Sequence, residues 1–116
     1  MTSDHFCSLA LTLPDTEEAA HMGHPDFRVR GKIFASLDSP KPGFGMVKLA
    51  PKDQATFLKS HPDIFTPATG AWGAAGATHI QLGRGGVDKA TLTAALQAAW
   101  RNVAPKTLVK AFEDGE

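Results

Sequence analysis

The stretch Phe27-Arg28-Val29-Arg30-Gly31-Lys32-Ile33-Phe34-Ala35-Ser36-Leu37 decides the fold. Val29, Ile33, Ala35 and Leu37 recur on one side, the period of a half-buried strand. Gly31 sets two alternatives. As a bulge it leaves one long strand with Arg28, Arg30, Lys32 and Phe34 on the opposite face; paired with Arg30 as a two-residue turn, it makes a hairpin. The hairpin is the preferred reading. Upstream, Phe6, Leu9, Ala10 and Leu13 predict an amphipathic helix over 3–13 stopped by Pro14, and 17–21 predicts a short strand. Downstream, Pro40, Pro42 and Gly43 mark a loop over 38–44, and Val47 and Leu49 alternate along a returning strand over 45–49.

Pro51 suits a first helical position and Asp53 complements the dipole, so a second helix runs to Pro62 with Phe57, Leu58 and His61 on one face. Residues 64–68 read as extended or irregular. Gly70-Ala71-Trp72-Gly73-Ala74-Ala75-Gly76-Ala77-Thr78 then sets a tryptophan among three glycines ahead of a strand over 78–82. This loop either closes the core or presents a stacking ring, and for Trp72 the lid is preferred. The last helix is the clearest element. Asp88 is a good N-cap, Val87 and Leu92 form a staple, and Leu92, Ala95, Leu96, Ala99, Trp100 and Val103 share a face. Beyond Pro105, Leu108, Val109 and Phe112 form a short helical turn that packs back.

A chain of 116 residues, 42% hydrophobic and 21% charged, is expected to form a single soluble domain over 1–116. No apolar run reaches the roughly 18 residues of a membrane span and no signal core is visible, so the expected address is the cytoplasm, with no membrane partner. One cysteine, Cys7, excludes an internal disulfide and a multi-thiolate metal site; a buried structural thiol is its expected role. The net charge of zero is segregated. Residues 1–26 hold five acids and no Lys or Arg, whereas residues 27–112 hold all twelve bases against four acids. A cationic middle region suits an anionic polymer, although overall neutrality opposes indiscriminate attraction.

Catalytic chemistry is not written in the chain. His21 and His24, with Glu18 or Asp26, are a weak metal pattern that lacks a third spaced ligand. No nucleophile elbow occurs, and Glu17 and Glu18 point to opposite faces of a strand. The glycines around Arg84 match neither a Walker nor a dinucleotide motif. No metal or cofactor is expected. The constellation with partner chemistry is Arg28, Arg30, Lys32, Lys48 and Arg84, with Phe34 and Trp72 as rings.

Three groups of residues carry a resemblance. They are His24-Pro25-Asp26-Phe27-Arg28-Val29-Arg30-Gly31-Lys32-Ile33-Phe34-Ala35, then His61-Pro62 with Phe65 and Pro67-Ala68, then Gly70-Ala71-Trp72-Gly73 and Gly76-Ala77-Thr78. Together with Val47-Lys48-Leu49 and Ala99-Trp100-Arg101, they resemble the MmcQ/YjbR family from Leu9 to about Leu108. The resemblance implies an α+β fold, a two-layer α/β sandwich of order α-β(3)-α-β(2)-α with a mostly antiparallel sheet, similar to secretion chaperones. It also implies binding of double-stranded DNA through hairpin wings, because the fold looks like double-wing DNA-binding domains; the expectation is a non-enzymatic protein, expected as a monomer. Carried over by position, Arg28, Arg30 and Lys32 lie at one wing, Lys48 beside it and Arg84 after the later strand. The alternative expectation is a protein- or peptide-binding module using the sheet face or groove near Trp72 and Phe34.

Overall fold

Arg30 and Gly31 have φ of 52° and 83°, the two positive values that a type I′ turn demands and that glycine adopts without strain. A computed structural model describes residues 1–21, 23–38, 41–83 and 85–115, His21 by its backbone, and in it this turn joins β2 (His24–Val29) to β3 (Lys32–Leu37). The hairpin is therefore real. A bulge is present too, but three residues later: Phe27 faces Ala35 while Arg28 faces Ile33, which leaves Phe34 as the extra residue of β3. The slip turns Phe34 and Ala35 together into the core, where both are fully buried. Phe34 thus leaves the cationic face on which alternation had placed it.

The remaining elements are α1 (Ser3–Leu11), β1 (Thr16–His21), β4 (Phe44–Lys48), α2 (Pro51–Ser60), β5 (Phe65–Pro67), α3 (Gly70–Ala74), β6 (Ala77–Gln81), α4 (Lys89–Val103) and α5 (Lys106–Glu113). The strands form one sheet in the order β1-β2-β3-β4-β6-β5, every described pairing antiparallel. The expected α+β class holds. Thr16–His21 is a full strand rather than a fragment, so four strands precede α2 instead of three.

Helices α1 and α4 cover one face of the sheet. The α4 stripe Leu92, Ala95, Leu96, Ala99 and Trp100 is buried against Phe27, Val29, Phe34, Val47 and Ile80, the dominant favourable term in such a fold. Trp100 also satisfies its polar atom: its indole N–H donates to the Pro14 carbonyl at 3.0 Å, and its ring packs 5.0 Å from that of Phe112 in α5. Asp88 caps α4 as expected, its carboxylate accepting the Thr91 N–H at 2.8 Å, and that bond holds the acid below its ordinary range. No helix among the described residues is long and apolar enough to cross a membrane.

On the opposite face the register aligns Ala19, Asp26, Ser36, Met46, His79 and Thr66 in one row across all six strands, and Met46 packs there with Ala68 and Ala77 in a small second core. Residues directly opposed share a face. Asp26 in this row and Arg28 two residues on are therefore neighbours above the same side of the sheet.

Cys7 on α1 donates its thiol hydrogen to Glu18 Oε1 on β1 at 3.2 Å. Burial first, then the Glu18 carboxylate and Asp4, push the thiol from 9.0 up to about 11. Because the folded value lies above the unfolded one, the associated stability is complete below about pH 9 and is lost as pH rises through about 11. Urea melts between pH 8 and 11 should show that alkaline decline, and Cys7→Ser should flatten it. Iodoacetamide should modify Cys7 far more slowly at pH 8 than an ordinary exposed thiol.

Candidate nucleic-acid interface

The strand register sorts the predicted cations into two groups. Arg28 is on the face opposite the main core, where its guanidinium holds Asp26 in a two-pronged bond, Nε to Oδ1 at 2.8 Å and Nη2 to Oδ2 at 3.1 Å. Asp26 is 1% exposed, so its carboxylate depends on this cation. The same bond raises the Arg28 pKa above its ordinary value. Glu17 is the cross-strand neighbour of Arg28 on β1 and adds to the compensation. Arg28 is thus a structural ion rather than a free contact. The signal was local: an Asp-x-Arg spacing on a strand puts both side chains on one face.

Arg30, at the hairpin tip, pairs with Asp15 at 2.7 Å, and both side chains are about half exposed. An exposed pair of this kind is weak and can exchange partners. Lys32 follows the turn and is exposed. Lys48 closes β4, the strand beside β3; Ala35 faces Val47, so Lys48 lies opposite the neighbourhood of Phe34. Two residues along one strand and one strand across put the Lys32 and Lys48 backbones roughly 8 Å apart. Among the described residues neither lysine forms an ion pair. Arg84 lies outside the described residues.

Next to Lys48 is the Trp72 ring. The expected loop is a single helical turn, α3, and its inward residue is Gly73, not Trp72. A Cβ on Gly73 would run into the Ala68 carbonyl, and one on Gly76 would run into that of Leu49. One position earlier on the turn, Trp72 points out and is 49% exposed. The core lid expected of Trp72 is supplied instead by the other tryptophan, Trp100. Trp72, Lys48, Leu49, Ala75, Ala77 and Asn102 line an open pocket of about 250 Å³. Asn102 Nδ2 donates to the Lys48 carbonyl at 2.9 Å and ties α4 to the end of β4.

Behind the pocket a buried amide fixes the tryptophan turn. Gln54 Nε2 on α2 reaches the Gly73 carbonyl at 2.9 Å, the Ala77 carbonyl at 3.2 Å and Thr78 Oγ1 at 3.1 Å, while Thr78 Oγ1 donates to the Gly76 carbonyl at 2.9 Å. Sequence reading missed Gln54 and Asn102, because their partners are backbone carbonyls distant in the chain. Elsewhere His21 and His24 are Cα partners, and the His21 side chain lies outside the described residues. Among the described residues no three His, Cys, Asp or Glu side chains gather as a metal-holding group.

Two outcomes follow from this geometry. Arg28→Ala should lower Tm by roughly 5 °C or more and Arg30→Ala by about 1 °C, since only the first strands a buried carboxylate. Gln54→Leu should cost about 1–3 kcal/mol in urea titrations by orphaning buried carbonyls, and should broaden the environment of Trp72 seen in fluorescence.

With these features located, comparison places the chain among known proteins. The crystal structure of Deinococcus radiodurans protein DR2400, with family-model domain DUF419, superposes with a TM-score of 0.75 at 21% identity, covering 97% of this chain and 86% of that one. No curated protein matches in sequence. The YjbR family model matches residues 11–102, a span holding the hairpin, the tryptophan turn and most of α4, and the chain therefore belongs to the YjbR family.

Proposed function

We propose that the protein binds double-stranded DNA by its phosphate backbone, without catalysis, through the end of the sheet that carries Arg30, Lys32 and Lys48. The observation behind this reading is the register that sets Lys32 and Lys48 on adjacent strands, both free of ion pairs among the described residues, beside the exposed Trp72. Lys32 opposes the core residue Val29 whereas Lys48 opposes Ala77, so the two side chains leave the sheet end on opposite faces; ammonium groups placed on both sides of that end neutralise phosphates and release counterions. Arg30 joins them by exchanging the exposed Asp15 for a phosphate, and Trp72 offers a ring for an exposed base or ribose. Arg28 is left out of the contact set because it is committed to Asp26.

A neutral molecule with three such contacts binds modestly and is sensitive to salt. Anisotropy titrations of a labelled duplex should give binding at low salt and a log–log salt slope of about −3. Lys32→Glu or Lys48→Glu should weaken binding on all sequences alike and reduce that slope by about 1. Absence of binding at low salt, or a slope near zero, would overturn the reading.

The Trp72 pocket favours a second reading, a protein or peptide partner that seats one side chain there. Its volume of about 250 Å³ lies below the roughly 300–1,000 Å³ of small-molecule sites and suits a single anchor. Under this reading Trp72→Ala abolishes capture of the partner while Lys32→Glu leaves it intact.

A further inference from the structure

The two margins of the sheet are built differently. β5 contributes three residues and ends in Pro67, whose missing N–H blunts that edge. β1 contributes six residues without proline and is last in the strand order on its side. In a two-residue hairpin the residues flanking the turn are a hydrogen-bonded pair, so Val29 directs its backbone groups at Lys32 on β3. Its partner on the other side, Thr16, then directs its own N–H and C=O away from β2, and by alternation so do Glu18 and Ala20. An open ladder runs along β1.

The helix side of that ladder has a distinct chemistry. α1 aligns Asp4, Cys7 and Leu11 at spacings of three and four along one face. Cys7 touches Glu18, and Asp4 is close enough to act on the thiol. Leu11 is 42% exposed, one of two large apolar side chains left out among the described residues. Residues 1–26 contain no Lys or Arg, and among the described residues neither Asp4 nor Glu18 forms an ion pair. On the other face Glu17 already opposes Arg28.

We infer that the β1 edge docks an extended basic segment of another protein as an added strand. A Lys or Arg of that strand faces Glu18 and Asp4, and an apolar residue two positions away covers Leu11. Main-chain hydrogen bonds to Thr16, Glu18 and Ala20 supply the pairing, and the helix-side carboxylates select the partner's charge. A second copy of this chain does not fit. Its own margins are the acidic β1 and the Pro67-ended β5.

The probe is a labelled peptide of about eight residues in which every second residue is Thr and the others alternate Lys and Val, long enough to match a typical strand. Fluorescence polarisation at low salt should show binding, with alkylation of Cys7 slowed in the complex. Glu18→Lys and Ala20→Pro should each weaken it about tenfold or more, the first by reversing charge and the second by deleting one outward N–H, while Glu17→Lys has a smaller effect. A peptide N-methylated on its sheet-facing amides should not bind, a control that leaves the protein unaltered. No binding at low salt, or binding indifferent to Ala20→Pro and to N-methylation, would overturn the inference. So would a dimer in analytical ultracentrifugation that Ala20→Pro dissociates.

Discussion

The structure depends on the register that the Arg30-Gly31 turn imposes on β2 and β3. Two positive φ values close the hairpin in two residues, and from that point every cross-strand partner is fixed by the pleat. Asp26 and Arg28 come to share a face, Val29 points inward, and Lys32 emerges beside the end of β4. A single extra residue, Phe34, then corrects the alternation, so that Phe34, Ala35 and Leu37 all reach the helix layer. Turn and bulge act in opposite senses on one strand. Their combination lets a short β3 bury three side chains and still carry a cation at its start.

The charged surface follows from the same geometry. Of the bases in the hairpin, Arg28 neutralises a buried carboxylate on the sheet face opposite the main core, and Arg30 leans on Asp15, which lies just before β1. The acidic N-terminal segment therefore answers part of the basic middle of the chain within the fold. Among the described residues Lys32 and Lys48, at the end of the sheet near the tryptophan turn, are left without an ion pair, as are the exposed Lys41, Lys52, Lys59, Lys89 and Lys106 elsewhere. A net charge of zero thus describes the molecule poorly; which bases are paired within the fold and which are left free is the relevant fact.

How much of this could be read in the chain depends on the range of the interaction. The α4 stripe and its Asp88 cap were legible because spacing three and four and an N-cap are local signals, and the hairpin was legible because Arg-Gly is a turn pair. β1 was underestimated: Glu17, Glu18, Ala19 and Ala20 have little strand propensity, and pairing with β2 decides their conformation. The inward turn of Phe34 was invisible, since a one-residue slip leaves no mark on the pattern it reverses. Trp72 was misjudged because a five-residue helical turn in a glycine-rich stretch swaps which residue faces in. Gly73, pressed on the Ala68 carbonyl, takes the inner place. Of the interface, the lysines were legible as residue types, but their freedom from partners is a property of the folded chain.

The proline at the end of β5 has a consequence for the behaviour of many copies together. Open sheets that accept strands at both borders can, in principle, polymerise, each molecule templating the next. Here one border is three residues long and ends in a residue that cannot donate, so growth has no second direction in which to continue. A chain with one receptive border can acquire a guest there but cannot hand the pairing on through the other.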